Sequence, residues 1–486
     1  MGCASSKDGA RSSPKKPTPE VPAAAKQKVE EAKATEAKLE DSLLAAWEAY
    51  LVQNQGGDQG LDLTNSSADA ILETEAKNIM AMLPTLEALY LADATLRSRC
   101  DKVSITVLLA IKMAISKRLM QSLGGKAVHM SWVVAVYGEQ NRILTKQQHD
   151  NGEDFVRRKV RQMKWLQDGI SSFTWDLLFV DDGCPNNSGE LIKKLIIEEN
   201  LKELYGVDVI FLQDGIDQNL SILHGMKSTK DSRKGGAVHY GLWYAGEHCK
   251  PKNPDALHIV GYTDADLSSS LAQTGLLLAP IVKVEGTILT LATRYEDGGL
   301  ECSDKKAELL EVAVDNPAGI AFRHFIRKNV LPPLAHIFDT QCGFKCMRGD
   351  KLAEILPKVT DKGASFDMEL LVVTGLLFPG KQSLVRCPVV WVASAAESNF
   401  WQSAASEYET HYKMNKAIIA LSQKQSALFS EQQLSHSQPY VEFFGGLTPE
   451  QFERMCEAIK AKLQKNFDRF EMTFDLVDLR TWAGDQ

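Results

Sequence analysis

Two aspartates one residue apart, Asp264 and Asp266, close an apolar run in Ala256-Leu-His-Ile-Val-Gly-Tyr-Thr-Asp-Ala-Asp-Leu-Ser268. Carboxylates this close repel each other, and a hard divalent cation holds them together while keeping coordination positions open for phosphate oxygens. Residues 257–262 read as a short buried strand. Ligands of open α/β sheets gather just beyond the carboxyl ends of such strands. A D-x-D is also common in turns, so its neighbours decide the reading. Asp181 and Asp182 close a second apolar run, Trp175-Asp-Leu-Leu-Phe-Val180, just before Gly183. Glu139 follows a third run, Ser131 to Val136, and Lys234 stands before Gly235 and Gly236.

The elements that must position these residues follow from periodicity. Strands are expected at 131–137, 175–181, 207–212, 257–262 and 287–293, with helices after Glu190, after Lys234 and over 322–331. Strands alternating with helices imply a mainly parallel sheet with right-handed crossovers. Acids at three successive strand ends then share one edge. Arg294 ends the strand at 287–293. A loop is expected at Asp339-Thr-Gln341-Cys-Gly-Phe344-Lys345, and a helix opening at Ser365 carries Asp367 and Glu369 in its first turn, where acids suit the positive end of the helix dipole.

Residues 42–124 repeat apolar positions at three and four, broken at Gln55–Gly60 and Pro84, and read as a helical region covering one side of the next domain. Beyond Trp391 the strand signals fade, and Thr448-Pro-Glu-Gln451 has the form of a capping box. The expected organisation is a tether over 1–40, a helical region over 41–126, an α/β domain over 127–395 and a helical region over 396–486.

Composition is that of an ordinary globular protein, with 44% hydrophobic and 24% charged residues. A net charge of -8 and the absence of domain-wide basic character exclude nonspecific nucleic-acid binding as the main activity. Nine scattered cysteines lack C-x-x-C spacing, which fits reduced thiols in the cytosol; Cys342 and Cys346 read as core or loop thiols. His224, His239 and His258 lie among apolar residues and read as satisfied core or surface groups.

No run of 18 or more apolar residues is present, so no membrane span is expected. The opening Met-Gly2-Cys3-Ala-Ser-Ser6-Lys7 matches the N-myristoylation pattern, with Gly2 as acceptor and Cys3 as a candidate for palmitoylation. Lys7, Arg11, Lys15 and Lys16 add basic charge toward anionic headgroups. One acyl chain holds a protein to a bilayer marginally, and a second chain or a basic patch makes the hold stable. The expected location is the cytosolic face of a membrane, held by a lipid anchor. A chance Met-Gly start is the alternative.

The order of motifs says more than any one of them: V-x-Y-G-E near 134, V-D-D-G at 180, K-G-G-A at 234, T-D-A-D at 263, A-T-R at 292 and D-T-Q-C-G-F-K at 339. Over about 130–392 this resembles the family 2 glycosyltransferases of the GT-A fold. With F-D-M-E-L-L after it, the last motif most resembles the dolichyl-phosphate β-glucosyltransferases, with polyprenyl-phosphate mannose synthases as near relatives. The resemblance implies an α/β, Rossmann-like, mainly parallel sheet flanked by helices, with N- and C-terminal helical extensions. It implies that Tyr137 and Glu139 hold the nucleotide, Asp182 the base or ribose, and Lys234 the sugar nucleotide. Asp264 and Asp266 would bind Mg2+ or Mn2+ with the diphosphate, Arg294 the acceptor phosphate, and Asp339 and Gln341 would begin the loop closing the sugar and acceptor site. The implied partners are a nucleotide sugar, UDP-glucose first, and a polyprenyl or dolichyl phosphate.

The chemistry of the residues is consistent with those roles. Breaking a glycosyl-phosphate bond leaves charge on the departing UDP, which a cation and Lys234 would stabilise. A lipid phosphate acceptor is already an anion and needs positioning more than deprotonation. A hydroxyl acceptor needs a base, with Asp339 the first candidate and Glu369 a distant second. The bland readings are turn acids for Asp181 and Asp182, an ordinary loop at Lys234, and a loop-orienting Asp339. The alternative functions are the same fold acting on a soluble or protein acceptor, an inactive membrane-tethered scaffold that binds a nucleotide sugar, and a nucleotidyltransferase, which would leave D-T-Q-C-G-F-K unexplained. Two departures stand out: relatives usually carry an N-terminal membrane helix, and the pair Arg323 and Arg327 does not align securely with their acceptor-binding arginine.

Overall fold

The computed structural model describes residues 41–53, 61–96, 102–232, 234–294, 299–302, 307–308, 317–363, 365–394, 407–463 and 474–484. Its strands are Val128–Val136 (β1), Phe173–Asp181 (β2), Val207–Phe211 (β3), Leu257–Thr263 (β4), Leu289–Thr293 (β5), Leu300–Cys302 (β6), Ala307–Glu308 (β7), Phe344–Arg348 (β8), Leu384–Pro388 (β9) and Val390–Val392 (β10). Seven of them form one sheet in the order β3-β2-β1-β4-β8-β5-β9, and β10, β6 and β7 form a small second sheet. All neighbours in the main sheet run parallel except β8, which is antiparallel to both β4 and β5.

Both faces are buried at the sheet's centre, so the later parts of β1 and β2, 132–136 and 177–180, are continuously apolar instead of alternating. Successive side chains still point to opposite faces. In β1, Trp132, Val134 and Val136 join one core, together with residues of the helices Ala68–Met82, Leu86–Leu96, Ile105–Gln121 and Phe155–Gln167. Val133 joins the other, with residues of the helices Gly235–His248, Phe366–Leu377, Glu407–Gln425 and Pro449–Leu463. The two terminal helical regions therefore cover opposite faces of one sheet.

The N-terminal helices are fastened by more than apolar contact. Asp69 accepts from Arg158 Nε and, at 3.1 Å, from Gln162 Nε2, and Arg158 also reaches the Leu63 carbonyl, all in buried surroundings. Pro84 lies at the break between Ala68–Met82 and Leu86–Leu96, which meet at 116°. Among the described residues no single helix is long and apolar enough to cross a membrane. At the other end, Gln451 N–H donates to Thr448 Oγ1 at 3.3 Å and Thr448 N–H to Gln451 Oε1 at 2.9 Å, the reciprocal pairing of a capping box.

The strand at 344–348 is an addition to the sequence reading, which made Phe344 and Lys345 part of a loop. Phe344 to Met347 are all buried between β4 and β5. Gly2, Cys3 and the tether over 1–40 lie outside the described residues.

Candidate active site

Strand order reverses at β1, which has β2 on one side and β4 on the other. A crevice at the carboxyl ends of β1 and β4 is where such sheets bind ligands. Tyr137, half exposed at 51%, and buried Glu139 follow β1. Asp181 ends β2 and Asp182 follows it, and Asp264 and Asp266 follow β4.

The two acids at the end of β2 have different work. Asp181 accepts N–H groups of Gly183 and Cys184 on one oxygen, each at 2.9 Å, and of Gly189 on the other at 2.8 Å. It is the turn acid. Asp182 Oδ2 accepts the Lys234 N–H at 2.9 Å, joining the β2 turn to the start of the helix Gly235–His248. Its Oδ1 is buried with no protein partner. Burial pushes the Asp182 carboxyl up to about 6 against the opposing Ser232 and Lys234 contacts, with Asp181 adding to the rise.

Lys234 sits at φ 72°, a backbone conformation that costs a non-glycine residue about 1–3 kcal/mol. Its ammonium contacts Asp264 Oδ1. Burial would lower the lysine, but Asp264, Asp367 and Asp266 together hold it above its ordinary value. Burial would likewise raise Asp264, and Lys234, backed by Lys159 and Lys345, holds it below. Burial and the like charge of Asp264 push Asp266 up against Arg142 and Lys159. The Lys234 and Asp264 side chains remain 40% and 29% exposed, so solvent screens the pair and it adds little to stability.

A cation fits this pair. Two carboxylates one residue apart form an oxygen donor set of the kind that Mg2+ or Mn2+ takes. Among the described residues no group of three or more His, Cys, Asp and Glu side chains is placed to hold a metal ion, so Asp264 and Asp266 alone would leave most coordination positions of a cation open. Gly343 lies tight against Asp264: a Cβ there would lie 2.4 Å from Asp264 Oδ2.

Several charged residues beneath the site escaped the sequence reading. Lys159, fully buried, donates to the Asp266 carbonyl at 2.8 Å, and burial lowers it to about 8 despite Asp266 and its neighbours. Arg142 Nη1 donates to Glu139 Oε2 at 2.7 Å, and its Nε is 3.7 Å from Glu153 Oε1. Burial, more than that salt bridge can offset, raises Glu139. Lys345 donates to the Cys342 carbonyl at 2.7 Å and to Asp367 at 3.2 Å, and Asp367 also takes the Tyr262 hydroxyl. The i,i+3 spacing of Glu139 and Arg142 was a usable signal. Lys159 had none, being one cation among four in Phe155-Val-Arg-Arg-Lys-Val-Arg161.

On the far side of β4, Asp339 is 1% exposed and grips Arg294, whose guanidinium lies 5.4 Å from the Trp391 ring centroid. Burial alone would raise Asp339; Arg294 holds it below its ordinary value. Both Asp339 oxygens are engaged by Arg294, which is the loop-orienting arrangement set beside a general base at this position in the sequence. Glu369 is buried and accepts four donors, from Thr360, Asp361, Lys424 and Gln425. Gln341 is exposed beside Asp339. Arg327 is fully buried and donates to the carbonyls of Leu334 and Arg323, so it belongs to the core. Buried His239 is pushed down to about 3 by burial and, against the expectation of a satisfied group, its Nε2 has no hydrogen-bond partner among the described residues; His258, pushed down to about 4 by burial and His129, pairs its Nε2 with the Ser131 hydroxyl at 3.0 Å.

No protein-family model matches the sequence. Over 277 residues, 54% of this chain and 67% of the relative, it is 23% identical to the dolichyl-phosphate beta-glucosyltransferase of Saccharomyces cerevisiae. Among solved structures, glucosyl-3-phosphoglycerate synthase of Mycobacterium tuberculosis in complex with Mn2+, UDP and glucosyl-3-phosphoglycerate is similar with a TM-score of 0.38 at 15% identity, covering 65% of this chain and 85% of that one. A second structure of that synthase has a TM-score of 0.39 at 15% identity, covering 65% and 86%.

Proposed function

We propose that this chain is a metal-dependent, inverting glycosyltransferase that moves a hexose, glucose from UDP-glucose, onto a polyprenyl or dolichyl phosphate at a membrane surface. One observation carries the reading: Asp182, Lys234, Asp264 and Asp266 come from three separate segments and meet beyond the strand ends where the strand order reverses. The sequence likeness to a dolichyl-phosphate glucosyltransferase supports the substrate classes.

In this reading half-exposed Tyr137 offers a face to the base, and the orphaned Oδ1 of Asp182 accepts from the base or ribose. Asp264 and Asp266 would hold Mg2+ or Mn2+, which supplies positive charge to the diphosphate as it departs. Lys234 has a flexible stem and can turn its ammonium from Asp264 to a phosphate oxygen, adding a charge-assisted hydrogen bond where negative charge grows. Arg294, fixed by Asp339, would orient the acceptor. Because Asp339 is engaged in that task, an acceptor that arrives as an anion fits better than a hydroxyl requiring deprotonation. Attack on the face opposite UDP inverts the sugar carbon. Gly2 and Cys3 would carry acyl chains that bring the enzyme to its lipid acceptor.

The test is a screen of radiolabelled UDP- and GDP-sugars with Mn2+ and a short polyprenyl phosphate, run beside Asp266→Ala. Lipid-extractable label from UDP-glucose in the unsubstituted protein alone is the expected result. Equal label in both proteins removes the metal role, and no label from any donor removes the acceptor assignment.

A further inference from the structure

The loop 360–363 closes against the first turn of the helix Gly235–His248. The Lys362 carbonyl accepts the Gly236 N–H at 3.0 Å, and a Cβ on Gly235 would lie 2.4 Å from the Gly363 carbonyl oxygen. The position of this loop therefore bears on Lys234 and its neighbours. Within the loop the Gly363 N–H donates to Asp361 Oδ1 at 2.6 Å and Lys362 Nζ to the Val359 carbonyl at 3.0 Å, and one buried carboxylate ties it to the rest of the fold. Glu369 Oε2 accepts the N–H groups of Thr360 at 2.8 Å and Asp361 at 2.6 Å. Glu369 Oε1 accepts from Lys424 Nζ and Gln425 Nε2, each at 2.9 Å, and Lys424 also contacts the Thr360 hydroxyl. Lys424 and Gln425 end the helix Glu407–Gln425, which lies in the C-terminal helical region.

We propose that Lys424 and Gln425 are positioning residues for the donor site, acting through Glu369 and the loop 360–363. This rests on the reading of that site as a nucleotide-sugar site. The physical basis is that Glu369, 1% exposed, needs its charge compensated, and the two C-terminal side chains supply half of its donors. Without them the carboxylate is left short of partners, and the two loop amides share its shift in position. The C-terminal helices then contribute to the order of the site as well as covering the sheet.

The experiment uses the full chain with Lys424→Met, which keeps the apolar stem of a half-exposed side chain, and Lys424→Met combined with Gln425→Leu. Lys413→Met on the same helix, where Lys413 pairs with exposed Glu409, is the control. Amide hydrogen exchange is read at residues 360 and 361, and UDP affinity with Mn2+ by calorimetry. The expected result is faster exchange at both amides and UDP binding about fivefold weaker in Lys424→Met, larger in the double variant, absent in the control and largely restored by Lys424→Arg. Unchanged exchange overturns the proposal, and so does faster exchange with unaltered UDP affinity. Unsubstituted protein that binds no UDP at all overturns the donor-site reading, with the exchange result still deciding whether Lys424 and Gln425 hold the loop.

Discussion

Asp339 meets the Arg294 side chain with both carboxylate oxygens, Nε on Oδ2 and Nη2 on Oδ1 at 2.9 Å each, and takes the Arg294 backbone N–H on Oδ2 at the same distance. Such a fork fixes the plane of the guanidinium, not just its charge.

If positioning is the work of this pair, Asp339→Asn and Arg294→Lys should damage the same step. Each is expected to lower kcat/KM for the lipid phosphate by roughly tenfold or more, and the double substitution to lose much less than the sum, with a coupling of about 0.5–3 kcal/mol in a double-mutant cycle. A strictly additive cycle, or a kcat for Asp339→Asn that recovers with rising pH, would return Asp339 to the role of base.

The opposite end of the crevice offers a steric test. Gly343→Ala puts a methyl group 2.4 Å from Asp264 Oδ2 and 2.7 Å from its Cγ, so the carboxylate must move. The fold can absorb that, because the Asp264 side chain is partly exposed. We therefore expect a thermal midpoint within a few degrees of the parent, with transferase activity reduced at least about tenfold and the Mn2+ requirement raised, since ångström-scale misplacement of a reacting group is costly. Unimpaired activity at ordinary Mn2+ would separate Asp264 from the chemistry.

The acyl anchor is tested independently of catalysis. Gly2→Ala removes the acceptor for myristate, and Cys3 alone would not be brought to the bilayer. The variant is expected in the soluble fraction of a eukaryotic cell lysate, with the parent in the membrane pellet. Equal pelleting of the two would eliminate lipidation as the anchor.

The features legible in the sequence were those local in the chain. The acids after β1, β2 and β4 were legible because each ends an apolar run, and the pairing of Thr448 with Gln451 spans only three residues. Strand β8 was not, because Phe344-Lys-Cys-Met347 includes a lysine whose burial depends on Asp367, 22 residues away. Lys159 was hidden for the same reason: its partner is the carbonyl of Asp266, 107 residues on, and only folding turns it inward. The grip of Asp339 on Arg294 was hidden as well, since it joins two loops 45 residues apart.

Glu153 gives a prediction in pH. Its side chain is fully buried, Oε1 takes the Ser394 hydroxyl and Oε2 has no partner. Burial, with Asp266 adding like charge, raises its pKa from 4.5 to about 7, against the opposing effects of Ser394 and Arg142. Below about pH 4.5 folded and unfolded chains both hold the proton and the shift has no effect. Between there and about 7 the unfolded chain releases a proton that the fold retains, so stability falls as pH rises, and above 7 the full penalty of a buried carboxylate applies. Glu153→Gln keeps the shape and removes the charge. It should raise the thermal midpoint by several degrees at pH 8 and leave it nearly unchanged at pH 4, where folded and unfolded chains both hold the proton. A gain of equal size at both pH values would mean that packing, not ionisation, sets the cost at this position.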